Sequence, residues 1–365
     1  MLLRRAARLL AVLGIVAGAG GIGLATPAYA CACGGAAWQP GDNGRVADET
    51  ALVAWDGQHE TIDMRLGLQA SGQQAALIVP TPAPATVTLG NASTFTELER
   101  LSAPKVVTER KWFGNFNLDF FSFGGAAESA APTGAAEAGA PTVLDRVQLG
   151  PMEATTFTGG DLTGIRKWLS DNGYQMRDAV IATLQPYLDG GWSFVAMRLT
   201  STAALNGALD PVRLTFAADH EVYPMRMSSA ATAAETVRIY VLGAHEVERN
   251  DPDDSSSQMM SQVTNTYFTG HVDPVDADLR QLSANGRNYL TAMTITIRSP
   301  EHITSDFSFT PAASDVDYRE EQRGVEYVQF LGIPAGFAIL LGIVLLGPAL
   351  GLLTAARRLV RRGRA

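Results

Sequence analysis

Trp192-Ser193-Phe194-Val195-Ala196-Met197-Arg198-Leu199 is the stretch whose reading decides the fold. It is dominated by apolar and aromatic side chains, begins just after Gly190-Gly191, and reads as a strand. The segment before it has helical spacing. Asp161 is a good N-cap for a helix through Ser170, with Leu162, Ile165 and Leu169 at i, i+3 and i+7 and Gly173 past its end. Asp178 is placed to cap a second helix through Leu188, bent or interrupted at Pro186. After Leu199 the strand character returns in Val212 to Ala217, Val222 to Met227, Thr236 to Leu242 and Met293 to Arg298. Pro224 marks one of these as an edge or a bulge.

Working toward the N-terminus, Val143 to Leu149 is strand-like. Ile62, Met64, Leu66 and Leu68 alternate with other residues as a half-buried strand does. Ala75 to Val79 is a continuous apolar run that ends at Pro80, and Thr81-Pro82-Ala83-Pro84 holds the chain extended. Thr94 to Leu101 reads as a short helix before Pro104. Strands come in runs with helices grouped between them and no fixed-period repeat. The expected class is therefore α+β, β-rich with a few helices, rather than a doubly wound parallel sheet.

Both ends of the chain carry targeting patterns. Arg4, Arg5 and Arg8 precede the uncharged stretch Leu9 to Leu24, and Pro27 comes before Ala28-Tyr29-Ala30. Residues 1–30 thus read as a signal peptide cut before Cys31. Lipidation of that cysteine is a competing reading, although Ala28 stands where a lipoprotein signal usually has Leu. From Phe330 to Ala356 there is no charged residue, and Arg357, Arg358, Arg361, Arg362 and Arg364 follow at once. About 24 residues at ~1.5 Å rise would cross a ~30 Å hydrocarbon core. Residues 330–353 are expected to form a transmembrane helix, with the basic tail 357–365 cytoplasmic and the rest outside.

The chain has 365 residues, 46% hydrophobic and 18% charged, which excludes wholesale disorder and collagen-like or disulfide-rich scaffolds. Of its 28 basic residues three lie in the signal and five in the tail. The remaining 20 face all 37 acidic residues, so the exported part carries a net charge of -17. Such a surface argues against nucleic acid as a partner. Residues 124–142 are built mainly from Ala, Gly, Glu, Ser, Thr and Pro and read as a flexible loop between ectodomain parts 31–123 and 143–325. Trp112, Phe113, Phe116, Phe120, Phe121 and Phe123 precede that loop, and are read as core, with an exposed binding surface as the alternative.

Chemistry-bearing residues are few. Cys31 and Cys33 are the only cysteines. Outside the cytoplasm they suit a structural disulfide, a strained exchangeable one, or a soft metal ion. His59, His220, His245, His271 and His302 show no paired spacing of the kind metallohydrolases use. Gly-x-Ser-x-Gly, a phosphate-binding loop and a dinucleotide fingerprint are all absent. Asp251, Asp253 and Asp254 form one acidic patch and Asp273, Asp276 and Asp278 another; both are read as solvated loops, with Ca²⁺ as the alternative. Asn91-Ala92-Ser93 fits a glycosylation acceptor.

Several stretches resemble the domain of unknown function 2330 family of exported bacterial proteins. They are Cys31-Ala32-Cys33-Gly34-Gly35, the pair of strands from Met64 to Pro82, Gly150-Pro151-Met152-Glu153 and Trp168-Leu169 with Asn172-Gly173-Tyr174. Tyr187, Gly191 to Ala196, Pro211 to Phe216 and Val222-Tyr223-Pro224 continue the resemblance over roughly residues 31–250. It implies an envelope-exposed protein, often membrane-anchored, and brings no active site, catalytic residue or cofactor. The expected function is a non-catalytic ectodomain that binds or scaffolds another envelope component. An extracytoplasmic hydrolase and a metal- or thiol-handling protein using Cys31 and Cys33 are the alternatives.

Overall fold

The computed structural model describes residues 30–31, 34–112, 142–149, 152–255, 261–330, 333–344, 346, 348 and 351. Residues 1–29 of the stretch expected to be a signal peptide, residues 124–141 of the Ala/Gly-rich stretch and the basic tail 357–365 lie outside them. The chain divides into two compact units, one made of residues 1–102 and 127–318, the other of 103–126 and 319–365.

The first unit begins with β1 (Ala30–Cys31), β2 (Gly34–Trp38), β3 (Gly44–Trp55), β4 (His59–Ala70), β5 (Gln74–Thr81), β6 (Thr86–Leu89) and helix α1 (Ala92–Leu101). The second unit supplies β7 (Lys105–Lys111). The first resumes with β8 (Thr142–Leu149), β9 (Met152–Thr158), α2 (Leu162–Asp171), α3 (Asp178–Ala182), α4 (Gln185–Asp189) and β10 (Ser193–Thr200). Then come β11 (Asn206–Ala208), β12 (Val212–Ala217), β13 (Val222–Tyr223) and a 3₁₀ turn (Arg226–Ala230). After these follow β14 (Glu235–Gly243), β15 (Val247–Arg249), β16 (Gln262–His271), α5 (Ala277–Leu282), β17 (Tyr289–Ile297) and β18 (Phe307–Pro311). The second unit continues with β19 (Glu321–Tyr327), a short antiparallel pair, β20 (Gln329–Phe330) and β21 (Ile333–Pro334), and a helix that begins at residue 335.

Two sheets make the first unit. The smaller has the order β1-β2-β5-β10-β9-β8 and is antiparallel throughout. The larger contains the run β16-β17-β14-β3-β4-β12-β6, with β11 also paired to β4, a short edge strand over Tyr318–Arg319 beside β16, and a parallel junction between β14 and β3. A short ribbon β13-β18-β15 accompanies them.

The alternation of side chains explains how these sheets stack. In β5, Ala75, Leu77 and Val79 enter one core while Ala76 and Ile78 enter another. In β10, Val195 and Met197 take the first and Phe194 and Ala196 the second. The same division occurs in the larger sheet, where Ala51 and Val53 join the first core and Leu52 and Ala54 a third. The shared core is therefore the space between the two sheets. The second core is closed by Ile165, Trp168 and Leu169 of α2 and Val180 and Ile181 of α3. The third is closed by Phe95 and Leu98 of α1 and Leu279 of α5. The result is four layers: helices, sheet, sheet, helices. Strands buried on both faces need unbroken apolar runs, which is why Phe194 to Met197 carries no polar interruption.

Local rules fix most boundaries. Asp161 caps α2 by accepting from Gly164 N at 2.8 Å. Asp178 does not cap α3 as its type suggested. It is the first helical residue, Arg177 takes the cap position without a side-chain bond, and the Asp178 carboxylate pairs with Arg166. The strand expected from Val222 to Met227 stops at Tyr223, because Pro224 has no N–H to continue a ladder and the chain turns into a 3₁₀ helix.

In the second unit β7 and β19 form a parallel two-stranded ribbon with Lys105 opposite Glu321 and Lys111 opposite Tyr327. Lys105 Nζ to Glu321 Oε1 is 2.9 Å and Arg110 Nε to Glu326 Oε2 is 3.1 Å. Ile339, Leu340, Leu341, Ile343 and Val344 of the following helix are all exposed. Among the described residues no helix is long and apolar enough to cross a membrane.

Candidate functional site

The segment from Ala218 to Ala231 gathers the most unusual side chains of the first unit. Trp55 Nε1 donates to Ala218 O at 3.0 Å and fixes its start. Val222 N donates to Glu60 Oε1 at 3.1 Å, and β13 pairs with β18 through Tyr223 and Phe307. Beyond Pro224, Met225 N and Arg226 N donate to Asp306 Oδ1 at 2.7 and 3.1 Å. Tyr187 OH, from α4, donates to the same oxygen at 2.5 Å. The Arg226 guanidinium stands over the Tyr187 ring, 5.6 Å from its centroid, with Nε 3.1 Å from Asp306 Oδ2. One aspartate thus ties the 3₁₀ turn, the outer helical layer and the start of β18 together.

On the inner side Tyr223 OH donates to Glu49 Oε1, and Ser228 is hydrogen-bonded to the carboxyl of Glu235. Glu49, Glu60 and Glu235 share the strand parity of Ala51, Ile62 and Val237, so all three point into the core between the sheets. Glu60 is fully buried, and its Oε2 has no partner among the described residues. Burial pushes its carboxyl well above the usual range, with Glu221 adding to the shift against the Val222 N–H. Burial likewise raises Glu235 to about 8, helped by Glu49 and opposed by Ser228. Burial and the neighbouring Asp306 push the Tyr187 hydroxyl up as well. A neutral carboxyl beside a second carboxyl can hold or release one proton. Glu49 and Asp306 are 5% and 6% exposed, and Glu235 is half-buried.

The residues singled out in the sequence are scattered around this seam. Cys31 lies in β1 with its backbone opposite Gly34, and Cα atoms of β1 come within 8 Å of those of the 3₁₀ turn and of β3. The Cys31 and Cys33 side chains lie outside the described residues. Gly34 is explained directly: a Cβ there would stand 2.5 Å from Ile78 O. His59, His220, His245, His271 and His302 are all exposed. His59 and His220 pair with their neighbours Asp56 and Asp219, His245 pairs with the distant Asp315, and His271 lies edge-on to Tyr289. Among the described residues no group of three His, Cys, Asp or Glu is disposed to hold a metal ion.

The two acidic patches are not simply solvated. Asp251, 1% exposed, takes a bidentate pair from Arg249 at 2.7 and 2.8 Å, and the Arg249 guanidinium lies 4.0 Å above the Phe307 ring. Burial alone would raise Asp253, yet hydrogen bonds from Thr304 and Ser305 outweigh it and hold the carboxyl below its usual value. Asp254 stays exposed. Asp276 caps α5 through Asp278 N and Leu279 N and also accepts from Ser93 and Thr94 at the start of α1. Asn91 of the glycosylation pattern is the N-cap of α1. Trp112 is 55% exposed rather than core, while residues 113–123 lie outside the described set.

A four-layer sandwich sealed around paired carboxyls, with its histidines outside, defines a class of β-rich domain whose polar residues mainly join layers. The chain belongs to the family described as uncharacterized protein conserved in bacteria (DUF2330), whose model matches residues 27–310. That span takes in every strand from β1 to β18 apart from its last residue. No curated protein matches. Among solved structures, a mutated baculovirus P35 after caspase cleavage is similar over 69% of this chain and 100% of its own, at 7% identity and a TM-score of 0.31. A likeness at that score carries no argument about activity.

Proposed function

We propose that this chain is a single-pass envelope protein: residues 31–329 are an exported ectodomain that binds or scaffolds another envelope component without catalysis. In this reading residues 330–353 anchor it and the tail 357–365 is cytoplasmic. The observation that carries it is the set of large apolar side chains, Ile339, Leu340, Leu341, Ile343, Val344 and Leu346, that the C-terminal helix leaves exposed ahead of five arginines. Exposed leucine, isoleucine and valine on successive turns are costly in water and ordinary in lipid. The non-catalytic half of the reading rests on enclosure. Glu60 is fully buried between the sheets and Glu235 half-buried there, whereas three of the exposed histidines pair with aspartates and His271 lies against the Tyr289 ring.

The test is membrane extraction combined with sidedness. Cells carrying a C-terminally tagged full chain are expected to retain it in the membrane pellet at alkaline pH. External protease should remove the ectodomain and spare the tag. Release into the soluble fraction, or loss of the tag from outside, would overturn the topology. Turnover of a generic ester, peptide or glycoside substrate by the purified chain, abolished by Glu235→Gln, would overturn the non-catalytic reading.

A further inference from the structure

The parallel pairing of β7 and β19 sends both strands toward the same end of the ribbon. There the chain leaving β7 presents Trp112, and the chain leaving β19 passes Phe330 on its way to the C-terminal helix. Three hydrogen bonds hold this end together. Val328 N donates to Lys111 O at 3.0 Å, Ala335 N to Val328 O at 2.6 Å, and Gly336 N to Trp112 O at 2.6 Å. Trp112 is thereby fastened to the first turn of the exposed apolar helix, from a position 224 residues earlier in the chain. Trp112 and Phe330 are 55% and 63% exposed, Tyr327 is half-buried beside them, and Lys111 and Arg110 stand on the adjoining strand.

Trp, Tyr and Lys at the start of an apolar helix are residues that settle where hydrocarbon meets headgroups, since each has an apolar body and a polar tip. Exposed apolar side chains recur further along the same unit, from Ile339 on. We infer that Trp112, Tyr327 and Phe330 form a lipid-interface surface that seats the membrane-proximal end of the ribbon in the headgroup layer of a phospholipid bilayer. The inference rests on the anchor proposed above and adds a second point of contact, from a distant part of the chain.

The test uses the full chain reconstituted in phosphatidylcholine–phosphatidylglycerol vesicles. Tryptophan emission is quenched by lipids carrying a nitroxide either near the headgroup or at the acyl terminus. Trp38 and Trp168 are buried and Trp55 and Trp192 half-buried in the first unit, so the signal of interest is the part lost in Trp112→Phe. Expected is stronger quenching from the shallow probe than from the deep one, lost in that variant and regained when Phe330→Trp is added. Equal quenching of wild type and Trp112→Phe, or a Trp112 contribution larger from the deep probe, would overturn the inference alone. Failure of the wild type to float with the vesicles would overturn the anchor reading and this inference with it.

Discussion

Glu235 shows what one side chain can do to this fold. Its carboxyl keeps a proton to about 8 in the folded chain, chiefly through burial, while its ordinary value is 4.5. Between those values the folded state binds more protons than the unfolded one, so stability falls as pH rises through that window and levels off above it. The contribution is fully present at the acid end and lost at the alkaline end; buried Glu60 acts in the same sense. Glu235→Gln is expected to flatten the fall in urea midpoint between about pH 5 and about pH 8; an unchanged slope would count against the assignment. Gly34→Ala should cost about 1–3 kcal/mol, since the new methyl would meet Ile78 O at 2.5 Å, measured by urea unfolding. Arg249→Met should cost about 3–5 kcal/mol because it strands Asp251 without its cation, and Arg249→Met with Asp251→Leu should recover much of that. Of these residues the sequence singled out Gly34, in its Cys-x-Cys-Gly-Gly setting, and Asp251, as part of an acidic patch but not as the partner of Arg249. Tyr223 and Glu49 are 174 positions apart, and no local pattern reveals such a pair.

Elements were legible wherever a local rule acted alone. Ile62, Met64, Leu66 and Leu68 alternate because their strand faces different layers on its two sides, and α2 starts where Asp161 can accept from Gly164 N. β7 and β19 give no such signal, since their polar, exposed residues have neither alternation nor an apolar run. β3 and β9, with Glu49, Thr155 and Thr156 buried among their apolar residues, were not legible in the sequence either. β16 is likewise masked by its threonines and a shift in register between Thr266 and Phe268. The second acidic patch was visible as a cluster but not as a joint. Asp276 bridges two helices far apart in the chain, and its carboxyl is held low by Ser93, Leu279 and Thr94 against the opposing effect of burial. Asp276→Ala should cost about 1–2 kcal/mol and increase hydrogen exchange in the first turns of both α1 and α5. Asp276→Asn, which can still accept, should lose less; equal losses would show that the capping bonds are not what matters.

For the whole molecule, the four-layer order depends on pairings the sequence does not display, above all the parallel junction of β14 with β3. What the sequence does display is the number of faces each strand must bury, and that was enough for the α+β class. The two units should also differ in persistence. The first has three apolar cores, whereas the ribbon of the second is exposed along both strands. In vesicle-bound protein, hydrogen exchange is expected to be slowest in β5, β10 and β14 and much faster in β7 and β19, because a lone two-stranded ribbon is marginal in water. Equal protection would mean that something else shields the ribbon.

The pairing of Lys105 with Glu321 spans 216 positions and has a consequence in time. A chain emerging from its N-terminus exposes β7 long before β19 exists, so β7 waits through most of synthesis as an open edge. Lys105, Arg110 and Lys111 suit that wait, since cationic residues on an edge discourage pairing with the wrong strand. Closure of the ribbon can therefore come only after the whole of the first unit has been made.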